Sequence, residues 1–265
     1  MGFAERLRES LAPVWADFPG RVGFAAWDLD EREPVLLGAD REVHPASTIK
    51  VLVMISALRA AHAGRAGLDA LVELPEQRAG GFGVLREMPS VPRVSLRDLI
   101  TLMIVVSDNA ATNAVIDTIG FAEIAECAAE LGCERTRVER RLMDVQAPGR
   151  NATCALDQAR ILDRLATGRA LPTDATRHAL GVLARQQVRD RLPALLPHGA
   201  HCWNKTGEIR GSRHDVALIG DERPRAVVAV LVDELTDEFS AGGSRRSPVY
   251  DDFAEVGLQV YRALH

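Results

Sequence analysis

The spacing of apolar residues along this chain changes from strand-like to helix-like and back again. Residues 21–28 and 34–37 have strand patterns on either side of a charged turn. The spacing from about residue 45 to 190 is helical. Strands are predicted again at 200–205, 215–219 and 226–233, and the last is nearly all apolar, as in a strand covered on both faces.

Helices are predicted where apolar residues recur every three or four positions. They cover 4–16, 47–63, 95–106, 110–119, 121–131, 155–167, 173–186 and 247–264, with Ser95 as an N-cap. The order of elements predicts an α+β fold, an α/β/α sandwich. Its antiparallel sheet comes from the N- and C-terminal segments, is flanked by helices, and carries an all-helical insertion.

The predicted division of the chain places 1–42 and 195–265 in an α/β domain and 43–194 in an all-helical domain. Because sites often lie between domains, we expect the active site in the cleft between the two.

Composition narrows the class of protein. The 265 residues are 47% hydrophobic and 26% charged, which is typical of a globular chain. A net charge of −5 argues against nucleic acid or an anionic membrane as a partner. No transmembrane run and no signal peptide are visible, so we expect a cytoplasmic protein, or a secreted one if a leader has been removed. We expect a monomer with a small-molecule substrate, no metal and no cofactor.

Lysine is nearly absent. Of the 32 basic residues only Lys50 and Lys205 are lysines. A GC-rich genome replaces surface lysine with arginine, so the two that persist are candidates for work that arginine cannot do.

The first lysine belongs to Ser47-Thr48-Ile49-Lys50, at the start of a helix. Residues three apart share a helix face, so the amine can reach the hydroxyl. The apolar run 51–55 predicts a buried helix, where desolvation lowers the lysine pKa and a neutral amine can accept the serine proton. Guanidinium keeps its proton and cannot do this. The alternative is that Ser47 is a plain N-cap.

Two further motifs follow. Ser107-Asp108-Asn109 lies between two predicted helices, and Lys205-Thr206-Gly207 lies at the end of a predicted strand. Taken alone, the first is typical of a capping turn and the second of a strand end. Together, and in this order, the three motifs resemble those of the penicillin-recognising serine hydrolases, and their spacing is similar to that of class A β-lactamases.

The resemblance implies a role for each motif residue. Ser47 would be the acylated nucleophile, Lys50 its base or proton relay, and Ser107 the relay to the leaving nitrogen. The substrate amide would be held by Asn109 and its carboxylate by Lys205 and Thr206, while Gly207 allows close approach at the strand edge. The backbone N–H groups of Ser47 and Glu208 would form the oxyanion hole. Arg213 resembles an arginine that pairs with the carboxylate in some class A members.

The resemblance fails at the glutamate that activates the deacylating water in class A enzymes. Aligned on Arg140, that position holds Leu142. Asp144 is the candidate for the base that is missing, and Glu139 is a second candidate. The alternative for Asp144 is a structural ion pair with Arg140 or Arg141. Glu208 is also unusual, because the family has a small residue there. Its charge suggests either that the substrate is not an ordinary penicillin or that the side chain points away.

Three functions therefore stay open. The first is a class A-like β-lactamase that works through a Ser47 acyl-enzyme, with slow or narrow turnover. The second is a related serine esterase, amidase or acyltransferase with another substrate. The third is a non-catalytic sensor that stays acylated by β-lactams.

Overall fold

The computed structural model describes residues 1–16, 18–236 and 249–265. Eight α-helices lie in these ranges, close to the predicted ones, although residues 247 and 248 of the last predicted helix lie outside the described residues. The helices are α1 Phe3–Ala16, α2 Lys50–His62, α3 Leu96–Val105, α4 Asn109–Ile119, α5 Phe121–Glu130, α6 Ala155–Ala166, α7 Thr173–Ala184 and α8 Val249–Ala263. Short 3₁₀ helices cover Ala46–Ile49 and Leu85–Glu87.

The strands form one large and one small sheet. They are β1 Arg21–Asp28, β2 Val35–Leu37, β3 Leu71–Glu73, β4 Arg93–Ser95, β5 His201–Ile209, β6 Ser212–Gly220 and β7 Pro224–Asp233. The large sheet is antiparallel in the order β2-β1-β7-β6-β5, so β5 is an edge strand. This arrangement confirms the α+β fold and the sheet built from both ends of the chain.

Two apolar layers cover the sheet. One face packs on the helical region around α2, in which Val51 to Ile55 are fully buried. The other face packs on α1 and α8 through Phe3 and Phe253. α2 is buried all round, as its apolar sequence predicts. The division into domains stays a prediction.

The strand predictions were incomplete in two places. β3 and β4 pair with each other but were missed, because each is too short to show an alternating pattern. β5 was predicted to end at Lys205, but pairing with β6 continues through Gly207 opposite His214 and Ile209 opposite Ser212. The Lys205-Thr206-Gly207 motif therefore lies within the edge strand and not at its end.

Among the described helices, none combines the length and apolarity needed to cross a bilayer.

Candidate active site

Ser47 lies in the 3₁₀ turn that leads into α2, and the backbone before it is held tightly. The amide of Ala46, a residue at φ 46°, donates to His44 Nδ1 at 3.0 Å. His214 contacts the carbonyl of His44 through Nε2 at 2.9 Å, and its Nδ1 accepts from the Val232 amide. Burial lowers the pKa of His214 to about 4, so the imidazole is neutral and its proton lies on Nε2. The central sheet thus anchors the approach to Ser47.

Lys50 is fully buried, and its amine contacts the second motif. Nζ lies 2.8 Å from the Ser107 carbonyl, 3.1 Å from Ser107 Oγ and 2.8 Å from Asn109 Oδ1. Within the described part of the chain, no hydrogen bond joins this amine to Ser47. The hydrogen bonds of the amine are with residues 57 and 59 positions away along the chain, and its predicted reach to the Ser47 hydroxyl stays a prediction.

Asp108 fixes the second motif in place. Its Oδ1 caps α4 by accepting from the Ala111 amide at 2.8 Å, and its Oδ2 accepts from the amides of Val84 and Leu85. Gly83 has φ 119°, and a Cβ there would lie 2.3 Å from Asp108 Cγ. The glycine-rich loop is therefore packed directly on the motif, and Ser107 at φ 55° is presented to the cleft.

The third motif, Lys205-Thr206-Gly207 on the edge strand β5, packs against the first motif at Ser47. Lys205 Nζ donates to Ser107 Oγ at 3.0 Å and to the Thr206 carbonyl at 2.7 Å. A Cβ on Gly207 would lie 2.9 Å from the backbone nitrogen of Ser47. Only glycine lets β5 come this close to the N–H group of Ser47.

The two lysines have different electrostatic surroundings. Burial, with the charge of Lys205 as a second cause, holds the pKa of Lys50 well below its ordinary value. Burial also lowers the pKa of Lys205, but attraction to Asp215 opposes the shift and leaves the pKa at about 7. The neutral amine is thus favoured at Lys50, whereas Lys205 carries charge in part near neutral pH.

A neutral Lys50 amine, the form that its burial favours, would orient the Ser107 hydroxyl. A neutral amine has two N–H donors, and these are taken by two oxygens that can only accept, the Ser107 carbonyl and Asn109 Oδ1. Asn109 is fixed in this orientation, because its Nδ2 donates to the Gly80 carbonyl at 2.9 Å. In this neutral form the remaining lone pair of Nζ would face Ser107 Oγ, 3.1 Å away, and accept its proton, while Lys205 donates to the same oxygen.

Two cavities open beside Ser47. The inner pocket has a volume of about 20 Å³. It is lined by Ser47, Phe82, Ser107, Val188, Arg191, Thr206, Gly207 and Glu208. The outer cleft has a volume of about 540 Å³. Its lining includes Ser47, Asn109 and Glu208 together with exposed apolar side chains, namely Phe82, Met143, Val145 and Ile209.

The loop across the outer cleft holds Leu142 by its backbone. The Leu142 amide donates to Asn113 Oδ1 at 2.8 Å, and its carbonyl accepts from Asn113 Nδ2 at 3.1 Å. Its side chain lines the outer cleft with Ser47. Leu142, whose backbone is held by Asn113, thus occupies the position at which class A enzymes have a glutamate.

The carboxylates of Asp144 and Glu139 both accept hydrogen bonds from backbone amides of this loop. Asp144 also lines the outer cleft, and its Oδ1 accepts from the Ala147 amide at 3.2 Å. The alternative role for Asp144 was an ion pair with Arg140 or Arg141, and none is found among the described residues. Arg141 pairs with Asp117 at 2.7 Å. Glu139 accepts from the Arg150 amide at 2.8 Å.

Arg213 and Arg191 differ in position. Arg213 donates to the carbonyls of Ile209 and Ser212, at 2.6 and 2.7 Å, and its role toward a substrate stays a prediction. Arg191, which the sequence analysis missed, lies in the inner pocket and is 1% exposed. Nothing in the sequence distinguishes it from the other arginines of an arginine-rich chain.

Glu208 is bound to this buried arginine. Its Oε2 accepts from Arg191 Nη2 and from the hydroxyl of Tyr250, the latter at 3.0 Å. The guanidinium also lies 4.8 Å from the Tyr250 ring centroid. The carboxylate is therefore paired at the back of the inner pocket.

No group of three or more potential metal ligands lies together in the described ranges. The four cysteines are free and buried, and burial raises the pKa of each thiol. None of them contributes to the cleft.

The fold, together with the hydrogen-bonded network of Lys50, Ser107 and Lys205 beside Ser47, defines a serine hydrolase of the class A β-lactamase type. The chain belongs to the beta-lactamase enzyme family, whose pattern it matches over residues 4–264.

Solved structures agree with this assignment. PBP-A is 25% identical with a TM-score of 0.86, and the alignment covers 100% of this chain and 97% of that one. A β-lactamase from Sphaerobacter thermophilus is 27% identical with a TM-score of 0.83, with coverage of 98% and 95%. An ancestral class A β-lactamase is 26% identical with a TM-score of 0.84, with coverage of 96% and 98%.

Proposed function

We propose that Ser47 attacks β-lactam carbonyl groups and forms an acyl-enzyme that is hydrolysed slowly. One observation carries this proposal: Ser107 Oγ lies between two buried amines, 3.1 Å from Lys50 and 3.0 Å from Lys205, beside Ser47 in the inner pocket. This arrangement supplies a base and a proton relay for forming the acyl bond, while the residue expected to activate water for breaking it is replaced by Leu142.

Acylation begins when a substrate turns the Ser107 hydroxyl toward the leaving nitrogen. The lone pair of Lys50 is then free to take the proton of Ser47, whose Oγ bonds to the carbonyl carbon. When the carbon–nitrogen bond breaks, Ser107 gives its proton to the nitrogen and receives one from Lys50. Atoms and charges balance, and Lys50 is neutral again.

The backbone N–H groups of Ser47 and Glu208 stabilise the oxyanion in this proposal. The close approach of Gly207 to the Ser47 nitrogen supports it. Lys205 and Thr206 bind a substrate carboxylate, and Asn109 binds the amide of the acyl group. Arg213 is kept as a further candidate for the carboxylate.

Slow deacylation is expected from the residues that line the outer cleft. Leu142 cannot accept a proton, and Asp144 is engaged in a turn of its own loop. A leucine-to-glutamate mutant of PBP-A, 25% identical to this chain with a TM-score of 0.87, was solved as an acyl-enzyme complex with penicillin G, which is direct evidence for the acyl chemistry in that protein.

The test is intact-mass spectrometry after mixing with benzylpenicillin, with nitrocefin turnover measured in parallel. We expect a long-lived adduct that maps to Ser47, and a nitrocefin burst of about one equivalent followed by slow turnover. Ser47→Ala should show neither. An adduct that persists in Ser47→Ala, or the absence of both adduct and turnover in the natural chain, would refute the proposal.

A second candidate is acyl transfer from an ester or amide to an amine. The apolar outer cleft favours it, because an amine nucleophile needs no activated water and Leu142, Met143 and Val145 shield the acyl group. Addition of hydroxylamine to the acylated protein separates the two functions. Rapid release as the hydroxamate with slow hydrolysis favours transfer, and equal rates favour hydrolysis.

A further inference from the structure

Glu208 lines both the inner pocket and the outer cleft, and its carboxylate is bound from behind. Arg191 and the Tyr250 hydroxyl both donate to its Oε2. The side chain is 24% exposed, so it is open to the cleft while it is held. The charge of Glu208 is therefore fixed next to the position of the nucleophile.

Both terminal nitrogens of the Arg191 guanidinium already have acceptors. Nη1 donates to the carbonyls of Gly207 and His214, at 3.1 and 2.8 Å. Nη2 donates to Glu208 and lies 3.1 Å from the Tyr250 oxygen. An anion that entered the inner pocket would meet a guanidinium already paired with a carboxylate.

The space on this side is also small. The inner pocket measures about 20 Å³, which is room for about one water molecule, against about 540 Å³ for the outer cleft. A substrate carboxylate placed there would lie close to Glu208, and like charges repel strongly where water is scarce. Lys205 is a cation nearby, with its Nζ 3.0 Å from Ser107 Oγ.

We propose that Glu208 is a specificity-determining residue. By occupying Arg191, its carboxylate selects against substrates that carry an anion on the inner-pocket side, and it favours acyl donors that are uncharged there. The inference rests on the proposed acylation of Ser47, but it concerns the charge of the substrate and not the chemistry of the acyl bond.

Benzylpenicillin and its methyl ester provide the test, because they share acyl group and ring and differ by one charge. The measured quantity is the ratio of their second-order acylation rates, followed by intact mass. Glu208→Gln keeps the size of the side chain and the backbone N–H, and we expect it to raise the ratio of acid to ester about tenfold. Glu208→Ala is a second variant in case the amide disturbs the Arg191 cluster.

The control is Glu9→Gln, which makes the same change in net charge on the exposed side of α1. Its ratio should equal that of the natural chain. An equal effect of Glu208→Gln on both compounds, or no effect of either Glu208 variant, would overturn the proposal.

Binding affinity, measured without acylation, tests the role of Glu208 independently of the proposed function. Calorimetric titration of Ser47→Ala, with and without Glu208→Gln, measures affinity without acylation, and we expect the second change to tighten benzylpenicillin about tenfold while the ester is unaffected. Such a difference without any Ser47 adduct in the natural chain would refute the acylation chemistry alone. Equal affinities, or no binding of either compound in any variant, would overturn the role of Glu208.

Discussion

The two walls of the cleft differ in what they offer Ser47. The strand-side wall consists of Lys50, Ser107, Lys205 and Thr206, and its amines and hydroxyl form one hydrogen-bonded network. The loop-side wall, residues 140–145, lines the outer cleft with three apolar residues, Leu142, Met143 and Val145, beside the charged Arg140, Arg141 and Asp144. The first wall carries groups that can transfer protons, whereas the second has Leu142 at the position expected for a glutamate. On the proposed function, forming an acyl-enzyme and hydrolysing it therefore depend on separate parts of the molecule.

The largest effect should come from Lys50→Arg on the strand-side wall. Guanidinium keeps its proton, so the acylation rate should fall about 10³-fold although the positive charge remains. Stopped-flow nitrocefin acylation measures the rate, and the thermal unfolding midpoint shows whether the larger buried side chain has disturbed the fold. A folded variant that acylates at the natural rate would show that Lys50 is not the base.

On the loop-side wall, Leu142→Glu should add the missing function. The backbone at this position is held on both sides by Asn113, so a glutamate there would face the outer cleft that contains Ser47. As a general base it should speed the decay of the penicillin adduct about 10²-fold and leave acylation within about threefold. Leu142→Gln, equal in size but without a basic group, is the matched control. An equal gain with glutamine would show that polarity or space, and not proton transfer, limits deacylation.

Within the strand-side wall, Lys205→Arg should be much milder than Lys50→Arg. A cation that only attracts a carboxylate can be a guanidinium, so we expect a loss of at most about tenfold in kcat/KM for benzylpenicillin. Losses of similar size in the two variants would mean that both lysines transfer protons, and the distinction between them would fail.

The pH dependence tests the same distinction. Lys205, with a pKa of about 7, is mostly cationic at pH 6 and mostly neutral at pH 8. Acylation by benzylpenicillin should therefore weaken up to about tenfold across this interval, because the attracting charge is lost as pH rises. The methyl ester should not follow this trend, and Lys205→Arg should flatten it. An equal decline for the ester would assign the titration to another group.

The sequence predicted the strand-side wall better than the loop-side wall. Lys50 follows from its chemistry, since an apolar helix implies burial and burial lowers the pKa of the amine. The resting contacts of that amine did not follow, because they come from residues that only the fold brings to it. Arg191 was missed for a related reason: its partners Glu208 and Tyr250 lie 17 and 59 residues away. β3 and β4, three residues each, are defined by their pairing and not by a pattern.

The smallest effect should come from Asp144→Asn on the loop-side wall. The carboxylate is exposed and accepts from the Ala147 amide, which an asparagine oxygen can also do, so the half-life of the penicillin adduct should change by less than about twofold. Glu139→Gln should leave the half-life equally unchanged, since its carboxylate accepts from the Arg150 amide within the loop. Because a general base contributes about 10²–10⁴-fold, a tenfold longer half-life in either variant would identify a base on this wall. The loop-side wall would then take part in hydrolysis, and the contrast between the two walls would be wrong.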